Sequence, residues 1–314
     1  MNEWAEAGIP FLFIIDFEQK NPLIFRLNKI DPDKLLYFLN GVTNCEIKAS
    51  GSKRLELVKY PEPFEGYLAK ITRIKDEIAY GNSYLLNLTC ATPIDLNLSL
   101  REVFLQSTAR YKLWIDGQFV CFSPEIFVTI QEGIISSYPM KGTIDASVPN
   151  AEKIILNDLK ETAEHYTIVD LIRNDLSRVA KRVRVGRFRY VEPLATHEKT
   201  LLQVSSEIGG ELNSDYVSHI GDIIYALLPA GSVSGAPKKK TLEIIAATEN
   251  RDRGYYTGVF GIFDGRNLDS GVIIRFIEES DSGYIYRSGG GITAFSDPLS
   301  EYNEMIDKVY VPQT

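Results

Sequence analysis

The sequence predicts an α+β fold in a single domain spanning residues 1–314, and three observations carry that expectation. The chain is 314 residues long, 44% hydrophobic and 24% charged. That is enough apolar side chain for a sizeable core and too much for a disordered chain. Strand-like runs bounded by turn signals occur near the start, in the middle and near the end, separated by segments of helical period. No internal repeat, low-complexity tract or Pro/Ser-rich linker interrupts them.

The elements follow in order. Residues 8–60 alternate apolar stretches with Asn21-Pro22, Asn40-Gly41 and Ser50-Gly51, which predicts short strands and one helix around Leu35 to Leu39. Over 66–80, Leu68, Ile71, Ile74 and Ile78 recur every three or four residues and Gly81 follows. This spacing predicts an amphipathic helix with a left-handed glycine at its end. Residues 85–92, 118–122, 126–131 and 134–138 read as strands bounded by Gly117, Pro124 and Gly133. Asn150 is placed to cap a helix whose Ile154, Ile155, Leu159 and Ala163 form a core stripe continuing through Ile168 and Leu171, and the pattern breaks near Asn174. Residues 182–190 alternate basic and apolar side chains like a strand with a basic outer face. Helices are expected over 216–228 and 238–248, the latter entered through Pro237 as a first helical residue. Strands over 255–263, 271–278 and 284–288 precede a last helix opened by Asp297-Pro298.

Charge excludes some functions. With 34 basic and 42 acidic residues the net charge is −8, the wrong sign for a protein that neutralises phosphates, so no nucleic acid partner is expected. Cys45, Cys90 and Cys121 are too few and scattered for a disulfide framework or a zinc site, and are expected as half-buried strand thiols. The run from Phe11 to Ile15 ends at Asp16, short of a leader or of the roughly 20 residues a span needs. The expectation is a cytoplasmic protein with no membrane partner.

Two pairs of carboxylates stand out. Glu161 and Glu164 lie three apart with His165 beside them, and Glu301 and Glu304 repeat the spacing. Either each pair decorates a solvated helix face, or the pairs serve a hard divalent cation such as Mg²⁺, which takes oxygen ligands and keeps several waters. Residues 229–238, containing Gly231, Ser232 and Gly235, lead into a helix N-terminus that attracts anions, without the spacing of a Walker loop. Gly289, Gly290 and Gly291 form either a tight corner or a place where backbone amides approach a ligand. Arg275 has apolar neighbours on an expected strand, so its guanidinium either snorkels or faces a buried anion. Lys141 is either a solvated strand end or, if desolvated, a nucleophile. Glu125 is a general acid if buried and otherwise a turn carboxylate. His197 and His219 fall outside any such grouping.

In this order, Ser123-Pro124-Glu125, Pro139-Met140-Lys141-Gly142-Thr143, Lys160-Glu161-x-x-Glu164-His165, residues 169–176, residues 229–238, Ile274-Arg275, Gly289-Gly290-Gly291-Ile292, Ser296-Asp297-Pro298 and Glu301-x-x-Glu304 resemble the chorismate-utilising enzymes. The resemblance runs over about residues 65–310, with residues 1–60 a shortened N-terminal part. It implies two large antiparallel β-sheets packed face to face with helices outside. Within the family, Lys141 resembles the large subunit of aminodeoxychorismate synthase, whereas anthranilate synthases carry a small residue there. Leu85 stands where isochorismate and salicylate synthases carry a water-activating lysine, and where ammonia-using relatives usually carry glutamine.

What the resemblance implies is a site. Mg²⁺ is held by Glu164 and Glu304, with Glu161 and Glu301 acting through water, against the ring carboxylate of chorismate. Arg275 and the amides of Gly289, Gly290 and Gly291 take the enolpyruvyl carboxylate, with Ser232 among the substrate-binding residues and Thr143 adding a hydroxyl. Lys141 is the nucleophile, Glu125 the acid, and His165 polarises or positions the leaving group. The chain has no Gly-x-Cys-x-Gly turn for a glutaminase, so ammonia comes from a separate amidotransferase subunit or from free ammonia, and a separate glutamine amidotransferase subunit is what the resemblance implies. The rival implications are anthranilate synthase component I and a non-catalytic chorismate-binding subunit.

Overall fold

The computed structural model describes residues 1–45, 53–195 and 200–312. Its strands form two antiparallel sheets accompanied by helices, and the chain divides into two compact units interleaved in sequence.

The first unit comprises Met1–Phe11, Ile126–Ser232 and Ile262–Ser270. Here the sheet order runs Met140–Asp145, Thr200–Glu211, Ile134–Ser137, Ile126–Gln131. The long strand Lys181–Ala195 pairs with the full length of Thr200–Glu211, from Lys181 opposite Glu211 to Ala195 opposite Thr200. It is the basic strand expected, longer and bulged, with Arg182 and Arg189 at positive φ where the register shifts.

The single helix expected after Asn150 is two helices, Ala151–Asn157 and Leu159–Leu176. Asn150 adopts a left-handed conformation and makes no side-chain cap, while Asp158 is extended and caps the second helix by accepting the Glu161 N–H at 2.9 Å. The break turns the second helix about its axis relative to an unbroken one. Leu159 is therefore 85% exposed and Ala163 faces solvent, while Glu164, His165, Ile168, Val169 and Ile172 are buried. The inferred stripe holds at Ile155 and from Ile168 onward and fails at Ile154, Leu159 and Ala163, because a helical period was carried across a residue that is not helical.

The second unit comprises Leu12–Glu125, Val233–Gly261 and Gly271–Thr314. Its sheet runs Gly235–Ala236, Leu85–Leu96, Gly283–Ile292, Phe276–Ser280, Phe119–Ser123, Tyr111–Ile115, Leu35–Leu39, Val42–Thr43, with Leu57–Lys59 on the edge of Leu85–Leu96. Leu35–Leu39 is thus a strand, not the expected helix. Its run Leu-Leu-Tyr-Phe-Leu is almost wholly buried and pairs with Tyr111–Ile115, and a short apolar run of that kind fits a central strand. The helix Phe64–Ala79 forms as expected, with Gly81 at φ +81° just past its end. Its Tyr67, Ile71 and Ile74 pack with Leu86, Leu88, Ile244, Ile245 and Met305.

The strand expected over 271–278 is interrupted. Leu268–Val272 and Phe276–Ser280 are separate, and Arg275 lies between them at φ +53°. Gly289, Gly290 and Gly291 form no corner: they continue Gly283–Ile292, opposite Thr89, Leu88 and Asn87. A Cβ on Gly289 would come within 2.5 Å of the Leu88 carbonyl oxygen, so the two backbones approach too closely for any side chain. Pro237 precedes the helix Lys238–Glu249 as an extended cap residue rather than opening it. Cys90 and Cys121 are fully buried rather than half-buried, and Cys45 is partly exposed outside any strand. Among the described residues no helix is long and apolar enough to cross a membrane.

Candidate active site

In the first unit, Met140–Asp145 and Leu159–Leu176 bring together four of the expected residues. Lys141 projects toward the helix, its Nζ 3.4 Å from Glu164 Oε2. Gly142 follows at φ +80°, and a Cβ there would sit 3.3 Å from Glu161 Oε2, so the glycine lets the strand turn close against that carboxylate. Glu164 is 7% exposed and Glu161 half-buried. Thr143, in contrast, is exposed and opposite Gln203. Met140 Sδ accepts a hydrogen bond from Gln203 Nε2 at 3.1 Å.

His165 is 1% exposed, and its ring stands edge-on to Phe188 with centroids 5.8 Å apart. Burial, followed by the charges of Arg189 and Lys141, pulls its pKa down to about 4, so the imidazole is neutral at physiological pH. Nε2 is hydrogen-bonded to Ser206 Oγ at 2.7 Å, and Nδ1 is buried with no hydrogen-bond partner. Ser206 is absent from the residues the sequence singles out. It is 41 positions from His165, and only its inward phase on an alternating strand could have flagged it.

In the second unit, Asp297 caps the helix Pro298–Asp307 by accepting the Ser300 N–H at 2.8 Å, with Pro298 in the first turn. The cap sets the phase that buries Glu301, 4% exposed, and leaves Glu304 half-exposed, paired with Lys308 at 2.7 Å. Lys308 also donates to the Gly289 carbonyl at 2.9 Å. An ideal Cβ on Gly290 would lie 3.6 Å from Glu301 Oε2, so this glycine borders the carboxylate. Arg275 has a buried Nε with no hydrogen-bond partner, and its guanidinium lies 5.1 Å over the Tyr310 ring. A buried, unsatisfied guanidinium nitrogen suits an incoming anion. Glu125 is half-buried, and its N–H donates to Ser123 Oγ at 3.1 Å. Leu85 is buried opposite Ala236.

Sequence reasoning also missed a buried ion pair in this unit. Arg253 and Glu249 are joined at 2.6 Å and are almost inaccessible. Arg253 further donates to the carbonyls of Val233 and Asn87, both at 2.7 Å, while Glu249 accepts the Thr89 N–H at 2.8 Å. Helical spacing gave no signal for it, because the helix ends at Glu249 and Arg253 lies beyond the left-handed Asn250.

Elsewhere, Ser232 lies half-buried in the turn Gly231–Val233 of the first unit, and His219 is half-exposed between Asp215 and Asp222. His197 lies outside the described residues. Among the described residues no group of three or more His, Cys, Asp or Glu side chains gathers as a metal site. Each glutamate pair nonetheless has suitable donor chemistry, since Mg²⁺ commonly takes one or two carboxylates and fills its other positions with water and substrate oxygens.

Three comparisons bear on these halves. A PabA-like protein of Haemophilus influenzae is 50% identical over 311 residues, covering 99% of this chain and 94% of that protein. Aminodeoxychorismate synthase component 1 of Bacillus subtilis is 33% identical over 294 residues, covering 88% of this chain and 60% of the relative. The menaquinone-specific isochorismate synthase MenF of Escherichia coli superposes with a TM-score of 0.74 over 98% of this chain and 78% of MenF at 18% identity, a likeness of fold. Residues 25–314 match the model of the chorismate binding enzymes, and the chain belongs to that family.

Proposed function

We propose that this chain catalyses amination of chorismate by ammonia to 4-amino-4-deoxychorismate, in the cytoplasm, with Mg²⁺ and a separate glutamine amidotransferase subunit supplying the ammonia. The observation that carries the reading is Lys141, an amine half-buried beside Glu164 at the position that separates aminodeoxychorismate synthases from anthranilate synthases in the resemblance. The relationship to the Bacillus subtilis enzyme supports it, within the 60% of that protein the chain spans.

In this reading Lys141 Nζ attacks the ring as the C4–O bond breaks, and Glu125 gives its proton to the departing hydroxyl. Ammonia then displaces Lys141 from the ring, and the enolpyruvyl group stays in place. Arg275 and the backbone at Gly289, Gly290 and Gly291 orient the enolpyruvyl carboxylate, with Ser232 and Thr143 as further polar contacts. His165, neutral and buried, polarises the leaving oxygen as a hydrogen-bond donor. Glu161 and Glu164 on one helix and Glu301 and Glu304 on another are the Mg²⁺ carboxylates. When bound, the ion offsets the charge of the ring carboxylate and fixes its orientation.

The test is to incubate the purified chain with chorismate, Mg²⁺ and ammonium at mildly alkaline pH and identify products by mass spectrometry. An aminated product that retains the enolpyruvyl group, and yields p-aminobenzoate when a 4-amino-4-deoxychorismate lyase is added, supports the reading. Anthranilate with free pyruvate moves the chain to anthranilate synthase component I. Mg²⁺-dependent chorismate binding with no turnover, even with an amidotransferase present, favours a non-catalytic subunit.

A further inference from the structure

The hydrogen bonds around His165 assign more than its burial. Ser206 Oγ, fully buried, accepts the backbone N–H of Arg189 at 2.9 Å and lies 2.7 Å from His165 Nε2. That amide is available because Arg189 sits at φ +48° within the bulged stretch of Lys181–Ala195, between the ladder positions Arg187 and Tyr190. The Arg189 side chain is anchored as well, its guanidinium donating to the Leu156 carbonyl at 3.0 Å.

A serine hydroxyl has one proton to give. With one lone pair taken by the Arg189 amide, the Ser206 proton has no acceptor among the described residues other than His165 Nε2. Were Nε2 protonated, it would donate to Oγ and strand the Ser206 proton, leaving Nδ1 as a bare buried acceptor too. Two buried groups would then go unsatisfied instead of one. The geometry points to Ser206 as a positioning residue that, braced by the bulge at Arg189, holds His165 in the Nδ1–H tautomer and leaves that N–H as the donor for bound substrate. The inference rests on the proposed reaction for what the donor does, but not for where the proton sits.

Histidine-selective ¹⁵N labelling and long-range ¹H–¹⁵N correlation spectra test it, since the chain has only three histidines. The His165 signals are identified by their loss in His165→Gln. The expected result is a protonated-type Nδ1 and an unprotonated-type Nε2 in the wild type, becoming a mixture of tautomers in Ser206→Ala. A wild-type Nε2–H pattern overturns the inference whether or not any variant folds, and so does an unchanged pattern in a folded Ser206→Ala. In the amination assay, Ser206→Ala should lower kcat roughly 10- to 100-fold with KM for chorismate within about twofold. Ser206→Thr, which keeps the hydroxyl, should restore the wild-type tautomer and part of the rate. If the tautomer is as expected and the wild type makes no aminated product, the proposed reaction fails while the assignment of the proton stands.

Discussion

Lys141 Nζ and Glu164 Oε2 stand 3.4 Å apart, joining a strand to the helix beside it. In the proposed reaction the same carboxylate is a Mg²⁺ residue, so two positive groups share one partner. A lysine acts as a nucleophile only with its lone pair free. Lys141→Ala should therefore cut kcat for amination by at least about 100-fold. Chorismate affinity, measured by fluorescence titration with Mg²⁺, should stay within about threefold. Unchanged turnover would remove Lys141 as the nucleophile.

The two glutamate pairs make a separate prediction with a binding readout. Glu164→Gln and Glu301→Gln keep side-chain volume and remove a negative charge from buried positions. Each should raise the Mg²⁺ concentration needed for half-maximal chorismate binding by roughly 10-fold or more, the scale of one lost charge-assisted contact. Calorimetric titration of chorismate at stepped Mg²⁺ concentrations reads this directly. A Mg²⁺-independent affinity in the wild type would remove the ion from the proposed site.

Arg253 predicts a loss of stability. Its guanidinium joins Glu249, Val233, Asn87 and Thr257 and lies 4.5 Å over the Phe17 ring. Arg253→Met leaves Glu249 buried without its cation and should cost about 3–5 kcal/mol in urea unfolding. The double variant Arg253→Met/Glu249→Met should recover most of that loss, because both charges are then gone. A single-variant cost below about 1 kcal/mol would show that the pair is not what holds these segments.

Lys112 predicts a pH dependence of stability. It is almost fully buried in the core of the second unit, donating to the carbonyls of Phe104 and Ser107 at 2.9 and 2.7 Å, and burial pushes its pKa down from 10.5 to about 8. Below pH 8 the amine is protonated in both folded and unfolded chains, and its contribution is constant. Between pH 8 and 10.5 the unfolded chain still binds the proton and the folded one releases it, so stability from this group rises with pH. The gain is up to about 3 kcal/mol across that window. The stability difference between wild type and Lys112→Met, followed by denaturant unfolding from pH 7 to 10.5, should grow in the wild type's favour as pH rises. A difference that stays flat would contradict the burial of a titrating lysine.

The sequence made much of this legible because motif residues sit near element ends, where capping chemistry is local. Asp297-Pro298 opens its helix as expected, and Gly81 ends another. Failures occurred where tertiary pairing decided. Leu35–Leu39 is short and apolar, and only its pairing with Tyr111–Ile115 makes it a strand. The three glycines left a corner and a close backbone approach equally open, and only the neighbouring strand, which excludes a side chain at Gly289, decides against the corner. Arg275 took its strand assignment from apolar neighbours, which do not reveal a left-handed residue. The site residues Lys141, Glu161, Glu164 and His165 were visible as a set, whereas Ser206 came into view only with the register of its strand.

The Asp158 cap has a consequence for how this chain tolerates length changes. Because the cap fixes the helix start at Glu161 N–H, each residue added or removed between Asp158 and Glu164 rotates the downstream face by about 100°. A one-residue deletion there would put Glu164 at the exposed position of Ala163 and His165 at the place of Glu164, carrying Lys141's partner away without disturbing helical hydrogen bonding. The same deletion before Asp158, in the exposed turn at residues 147–150, would leave the angular setting of the helix untouched. Asp158 is thus the indexing mark from which this face of the helix is counted.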